Sequence, residues 1–159
     1  MTHYAVLTAR LRNELKNLSK VLERAKIQVQ KARTAQDDDY WFALALSLQN
    51  YYMGIERIFE DIAKHVDQTL PTGPNSHQAL VEQMSLDIPQ TRPAVITHAT
   101  LQALTPYRGF RHVVIHRYGF ELKPELIEVL ASDLEGCYAA LHAEIETFCQ
   151  FLLQLKNTI

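Results

Sequence analysis

Residues 7–32 read LTARLRNELKNLSKVLERAKIQVQKA, a stretch without glycine or proline whose apolar residues recur mostly at alternating intervals of four and three. This spacing is typical of the a and d positions of a heptad repeat, which lie along one face of an α-helix. The positions concerned are Leu7, Leu11, Leu15, Leu18, Leu22, Ala25, Val29 and Ala32. We therefore predict a helix from about residue 3 to residue 34, with an apolar face that must pack against other helices.

A second segment repeats this periodicity after a short polar turn. Asp37, Asp38 and Asp39 supply side-chain oxygens and negative charge that favour the start of a helix. The apolar positions that follow are Trp41, Ala45, Leu48, Tyr52, Ile55, Phe59, Ile62 and Val66, with Leu44, Tyr51 and Ile58 on the same side. Two long helices joined by so short a turn predict an antiparallel hairpin.

The middle of the chain is predicted to hold a loop and a short helix. Residues 70–78, LPTGPNSHQ, contain two prolines and one glycine and are expected to form the loop. The short helix runs from about Ser76 to Leu86, and Pro89 and Pro93 close it. Its apolar residues are Leu80, Val81, Met84 and Leu86.

Two further long helices complete the predicted set. The first runs from about residue 94 to residue 118, with a kink or a break expected at Pro106 and a stop at Gly119. The last begins near Pro124, which suits the first turn of a helix, and runs to about Lys156. Its apolar positions are Leu126, Leu130, Leu134, Cys137, Leu141, Ile145, Phe148, Leu152 and Leu155.

These elements predict an all-α fold, an antiparallel up-and-down bundle of four long helices with a short additional helix, in one domain that spans residues 1–159. Cys137 and Cys149 would lie about 18 Å apart along the last helix, too far for a disulfide, and are expected to be buried apolar residues. The chain shows no secretion signal and no run of about 18 uncharged apolar residues. We therefore expect a cytoplasmic protein that does not contact a membrane.

Charge is distributed unevenly along the chain, although the net charge is only −2. Residues 1–36 carry eight basic and two acidic residues, a balance of +6, and the remainder has a balance of −8. Such segregation is typical of a surface that binds nucleic acid, and equally of helices that pack with complementary charge. The sequence leaves both interpretations open.

Several common kinds of site are missing from the sequence. His112 and His116 have the four-residue spacing that can hold zinc on a helix, but no HExxH glutamate lies between them and no Cys/His cluster completes the ligand set. Neither a GxxxxGKS/T loop nor a GxGxxG loop occurs, and no GxSxG elbow is present. We expect the chain itself to bind no metal and no cofactor.

Residues 107–122, YRGFRHVVIHRYGFEL, concentrate cations among aromatic side chains, a composition that suits phosphates and bases. Arginine can hold a phosphate through two hydrogen bonds and stabilise its developing charge, and histidine can move a proton near neutral pH. These two residue types suffice for RNA cleavage in which the 2′-hydroxyl attacks the adjacent phosphate without a metal. The alternative is a basic helix end beside the negative pole of the helix dipole, with His116 bonded in the core. The cations are Arg108, Arg111, His112, His116 and Arg117.

The same residues resemble a known family. RHVVIHRY, residues 111–118, fits the R-x4-H-x-Y signature of the HEPN ribonucleases, and FRHVVIHRYGFEL looks like the HepT-like toxins of HEPN/MNT toxin–antitoxin pairs. LQNYYMGIERIFEDIA, residues 48–63, resembles the second helix of that family. His112 departs from the pattern, because many HEPN sequences have Asn or another polar residue there.

This resemblance implies a function for each part of the motif. Arg111 and His116 would be the catalytic pair of a metal-independent ribonuclease that acts on cellular RNA, such as tRNA or mRNA, as a homodimer. Tyr118 would be modified with AMP by a cognate minimal nucleotidyltransferase antitoxin, and the ATP and Mg²⁺ would be bound by that partner. Arg108, His112 and Arg117 are expected to contact RNA phosphates.

Helix geometry adds an expectation about the site. Arg111 and His116 are five residues apart, so on a regular helix they point about 140° away from each other. Either the helix is distorted near Gly109, or a second copy of the segment completes the site across a two-fold axis. Two other functions remain open: a binding subunit without catalysis, which presents substrate to a nucleotidyltransferase, and a purely structural dimerisation bundle.

Overall fold

The computed structural model describes residues 3–155, and within that range every regular element is a helix. The predicted all-α class is therefore confirmed. Two short turns accompany the helices: a π-helical turn, Ala63–Asp67, continues the second helix, and a 3₁₀ turn, Gly119–Glu121, precedes the last one. The five α-helices are α1 (Ala5–Ala35), α2 (Asp38–Ile62), α3 (Ser76–Met84), α4 (His98–His116) and α5 (Pro124–Gln154).

The hairpin of α1 and α2 forms as its heptad pattern and capping residues predict. Gln36 ends α1 in the left-handed region with φ 53°, and Asp37 begins α2 by accepting a hydrogen bond of 2.9 Å from the Asp39 backbone N–H. The predicted apolar positions of α1 are buried, except that Val29 is half-buried. Close packing of the two helices needs Gly54, because a Cβ there would lie 2.6 Å from Leu18 Cδ2.

The core lies around α2, which packs against each of the other four helices. The largest fully buried side chains of the core include Tyr51, Tyr52 and Phe59 of α2 and Tyr107 of α4. Their polar atoms are mostly paired: the Tyr51 hydroxyl donates to Cys137 Sγ at 3.2 Å, and the Tyr107 hydroxyl donates to the Leu130 carbonyl at 2.6 Å. Cys137 and Cys149 are both buried free thiols, as the sequence predicts.

The basic residues of α1 pair with acidic residues of the neighbouring helices. Arg33 Nε lies 2.9 Å from Glu128 Oε1, and Lys26 Nζ lies 3.2 Å from Glu135 Oε1, so α5 supplies both carboxylates. Arg10 of α1 pairs with Asp61 of α2. Of the two interpretations of the uneven charge, these contacts support packing with complementary charge.

The bounds of α4 differ from the predicted ones because a cap, not the apolar periodicity, sets where it begins. α4 begins at His98 and not near residue 94, since the Thr97 side chain accepts a hydrogen bond of 3.2 Å from the Thr100 N–H. It ends at His116, where Arg117 turns into extended backbone, two residues before the predicted end. The helix continues through Pro106, so the alternative of a break there is wrong.

Two predicted core positions are also wrong. Leu86 is 56% exposed because α3 ends at Met84, and Leu126 is 45% exposed because Ile127 takes the buried position in the first turns of α5. Pro124 does lie in the first turn of α5. The predicted helix end at Lys156 lies outside the described residues.

A buried ion pair attaches α3 to the end of α2. Arg92 Nε lies 2.6 Å from Asp67 Oδ1, and neither side chain is more than 1% exposed. The guanidinium also donates to the backbone carbonyls of Gln83, Leu86 and Pro93. The ion pair and these three bonds together hold α3 in place, so that its first turn lies beside α4.

None of the helices in residues 3–155 is long and apolar enough to span a lipid bilayer.

Candidate functional site

Arg111 lies on the side of α4 that faces α2, and it contacts a buried carboxylate there. Its Nε is 3.1 Å from Glu56 Oε1, and the two side chains are 20% and 7% exposed. Glu56 Oε2 also contacts Nδ1 of His77, in the first turn of α3. One carboxylate of α2 is thus shared by cationic or titratable groups of two other helices.

The surroundings of Glu56 explain how a carboxylate is accommodated there. A buried carboxylate is costly unless it is paired and hydrogen-bonded, and Arg111 and His77 provide that compensation. Burial raises the pKa of Tyr52, the negative charge of Glu56 raises it further, and Arg108 and Arg111 lower it. These interactions place Tyr52, Glu56 and both arginines in one electrostatic group.

The first turn of α3 and the middle of α4 form the walls of a cleft, which we call the α3–α4 cleft. Its volume is about 310 Å³, at the lower end of the range of roughly 300–1,000 Å³ that is usual for ligand sites. Neither arginine of its wall makes a hydrogen bond through its Nε, although both atoms are buried. The lining residues are Pro74, Asn75, His77, Gln78, Arg108, Gly109, Arg111 and His112.

His116 is the last residue of α4 and is exposed. Its ring lies against that of His112, with 4.4 Å between the centroids, so His112 connects the α3–α4 cleft to His116. Within residues 3–155 no hydrogen bond or ion pair joins Arg111 to His116. Since α4 is a continuous α-helix through Gly109, the alternative of a helix distorted there is wrong, and completion of the site by a second copy stays a prediction.

Tyr118 lies outside the helix, in the extended segment between α4 and the 3₁₀ turn. Its side chain is 72% exposed, and its ring stacks on Phe120 with 5.4 Å between centroids and an angle of 6°. Glu121 fixes this segment by accepting a hydrogen bond of 3.2 Å from the Tyr118 N–H and by pairing with Arg117 at 3.7 Å. The phenol is therefore presented to solvent by a backbone that is held in place.

Glu56 and His77 belong to this site but were not among the sequence candidates. Glu56 carried a signal, because it lies four residues after Tyr52 and three before Phe59, on the apolar face of α2. A charged residue at such a position needs a partner. His77 carried no comparable signal in the sequence.

Metal ligands do not cluster at this site. No group of three or more His, Cys, Asp or Glu side chains that could hold a metal ion occurs in the part of the chain that the structure describes. The side chains that the structure describes at this site are arginines, histidines and one buried carboxylate.

Comparison with known proteins identifies the family. A family model described as HepT-like protein matches residues 43–152, which is more than half of the chain. The chain belongs to the HepT-like family. The matched span contains Glu56, His77 and the whole 107–122 segment, so the candidate site of this HepT-like chain lies within the part of the sequence that the family shares. The resemblance to HepT-like HEPN toxins is confirmed. Searches of the curated proteins and of the solved structures give no match.

Proposed function

We propose that this HepT-like chain is a metal-independent ribonuclease toxin in which Arg111 and His116 carry out the cleavage. The observation that supports it best is the row of groups along α4: a guanidinium in the wall of a cleft, then His112, then a solvent-exposed His116 in ring contact with it. Membership of the HepT-like family supports the same function.

The reaction follows from the chemistry of these two side chains. The ribose 2′-oxygen attacks phosphorus, the bond from phosphorus to the 5′-oxygen breaks, and a cyclic 2′,3′-phosphate and a free 5′-hydroxyl result. Arg111 stabilises the charge that accumulates on the phosphoryl oxygens. His116 takes the proton from the 2′-hydroxyl or donates one to the leaving oxygen. One histidine cannot do both in a single step, which is a reason for a homodimer with two copies of His116.

Other cations of the segment would bind RNA phosphates. Arg108 and His112 line the α3–α4 cleft, and Arg117 is 59% exposed with only a long ion pair to Glu121. These three residues have the charge and the accessibility to position the RNA, while Arg111 and His116 act on the scissile phosphate.

Tyr118 would be the regulatory residue. Its exposed phenol is accessible to a nucleotidyltransferase antitoxin that binds ATP and Mg²⁺ itself. Transfer of AMP from ATP to the phenolic oxygen releases pyrophosphate and the phenolic proton. It adds a phosphate anion one residue from Arg117 and two residues from His116, where it competes with RNA phosphate for the cations. The modification thereby switches the toxin off.

The proposal is tested by RNA cleavage in EDTA. Purified dimer should cleave RNA, and His116→Ala or Arg111→Ala should lower the rate by about 100-fold to 10,000-fold, the contribution of one general acid–base or charge-stabilising group. His142→Ala is a matched control, because His142 is an exposed histidine of α5 remote in sequence from the motif. Full activity in both site variants would exclude this mechanism.

A second candidate function is a binding subunit that presents substrate to a nucleotidyltransferase without cleaving RNA. The exposed stacked pair of Tyr118 and Phe120 favours it, because large exposed aromatic side chains are common in protein interfaces. Tight complex formation together with no RNA cleavage by the free dimer would establish this function in place of the first.

A further inference from the structure

The α3–α4 cleft is electropositive. Four cationic or titratable side chains line it: His77, Arg108, Arg111 and His112. Among the described residues the only carboxylate that pairs with any of them is Glu56, and it is already occupied by His77 and Arg111. The cleft therefore has more positive charge than its own acidic residues neutralise.

Arg108 is the clearest sign of a missing ligand. Its Nε is buried without a hydrogen bond, and within residues 3–155 its guanidinium makes no ion pair. A buried donor without an acceptor is unfavourable, and a charged donor more so. An anion in the cleft would supply the countercharge that the guanidinium, which lines the cleft, lacks among the described residues.

The opposite wall of the cleft is the start of α3. Asn75 precedes this nine-residue helix, and no side chain caps it, so the N–H groups of the first turn have no side-chain acceptor. Helix N-termini carry partial positive charge and bind phosphate through such N–H groups. This wall adds neutral donors to the guanidinium of Arg108 on the other side.

We infer that the α3–α4 cleft is a second phosphate subsite of the RNA site, which binds the phosphate next to the scissile one. The inference rests on the proposed ribonuclease function. Arg108 and Arg111 are three residues apart on α4, a spacing of about 5–6 Å between their Cβ atoms, so their guanidinium groups can hold neighbouring phosphates of one strand. Arg108, His77 and the first turn of α3 bind the second phosphate.

Binding of a labelled single-stranded DNA oligonucleotide to the intact dimer tests this subsite. DNA has no 2′-hydroxyl, so the probe survives whether or not the protein is a ribonuclease. Arg108→Gln should weaken binding about tenfold and reduce the slope of log affinity against log salt by about 0.7, the value for one phosphate contact of a single strand. His77→Ala removes one partner of Glu56 and leaves the other, Arg111, in place; it should weaken binding about threefold.

Arg24→Gln is the matched control, because Arg24 is an exposed arginine of α1 that makes no ion pair among the described residues. Equal losses in Arg24→Gln and Arg108→Gln would show a general charge effect and overturn the subsite. So would binding of AMP or inorganic phosphate as tightly as the oligonucleotide, which would indicate a site for small anions. Thermal unfolding of each variant identifies a loss that comes from misfolding.

The two proposals fail in different ways. If the wild-type dimer does not cleave RNA but Arg108→Gln and His77→Ala still lose DNA affinity selectively, the subsite is supported and the ribonuclease function is wrong. If RNA is cleaved and both variants bind DNA as the wild type does, the ribonuclease function stands and the subsite is wrong.

Discussion

Glu56 is a carboxylate at a position where the periodicity of α2 requires an apolar side chain. Its two oxygens contact groups from α3 and α4, and its side chain is only 7% exposed. Charged residues are rarely so buried without a specific partner. In this chain the carboxylate connects the catalytic arginine of the proposed ribonuclease to the first turn of α3.

Glu56→Gln should lower the free energy of unfolding by about 1–3 kcal/mol, because the guanidinium of Arg111 then stays mostly buried without a countercharge. Urea denaturation at neutral pH measures the change. Glu135→Gln is the control: Glu135 also pairs with a cation but is 73% exposed, so its loss should stay within about 1 kcal/mol. Equal losses in the two variants would contradict the view that burial makes the Glu56 contact important.

The candidate residues differed in how easily the sequence could identify them. Arg111, His112 and His116 are close together in the chain, so their chemistry is visible as a local pattern. Their partners Glu56 and His77 come from two other helices, and no local spacing connects them to α4. Tertiary packing alone brings these partners together, which is why the sequence predicted the arginine and histidine of the site and missed the carboxylate that holds the arginine.

Among the helices, α1, α2 and α3 were predicted to within a few residues, and α4 less well. The heptad pattern and the Asp37 cap are local signals, and they specify the first hairpin directly. The start of α4 depends on Thr97. The backbone N–H of Thr97 also donates a hydrogen bond to the Glu144 carboxylate of α5, and no spacing in the sequence predicts this contact. The packing of α5 against the core also decides that Ile127 is buried and Leu126 exposed, and the sequence alone does not tell these two neighbours apart.

The position of α3 depends on the Arg92–Asp67 pair, and its removal gives a prediction at the level of this element. Arg92→Met should lower the free energy of unfolding by about 3–5 kcal/mol, since it leaves the Asp67 carboxylate buried without its partner. Arg33→Met, which breaks an exposed pair with Glu128, should cost less than about 1 kcal/mol. Chemical denaturation measures the free energy of unfolding of both variants. Similar losses in the two would refute the view that the buried pair holds α3 in place.

On the scale of the whole molecule, exposed apolar side chains surround the connection between α4 and α5. Such side chains in one part of a surface are typical of a region that a partner covers. A second copy of this chain, bound there, would bring its own His116 close to the first site. The residues are Ile115, Phe120, Leu126 and Val129, which are 45–79% exposed.

Val129→Glu should therefore convert the proposed dimer to a monomer and abolish the proposed RNA cleavage, because a charge would be buried in the interface. Leu46→Glu is a closely matched control, since Leu46 of α2 is also 58% exposed but lies on a different helix. Analytical ultracentrifugation gives the mass of each variant in solution. A dimer that persists in Val129→Glu, or a monomer in Leu46→Glu, would show that the two copies meet elsewhere.

Tyr118 lies outside α4 on an extended segment that Glu121 holds in place, with its phenol in solvent. A group attached to that oxygen therefore stays outside the core and disturbs neither the helices nor their packing. Under the regulation proposed for Tyr118, folding and modification are thermodynamically independent, so the modified and unmodified chains should melt at the same temperature. The proposed switch would then give a cell a reserve of inactive protein as durable as the active form, and removal of the group would restore activity without refolding the chain.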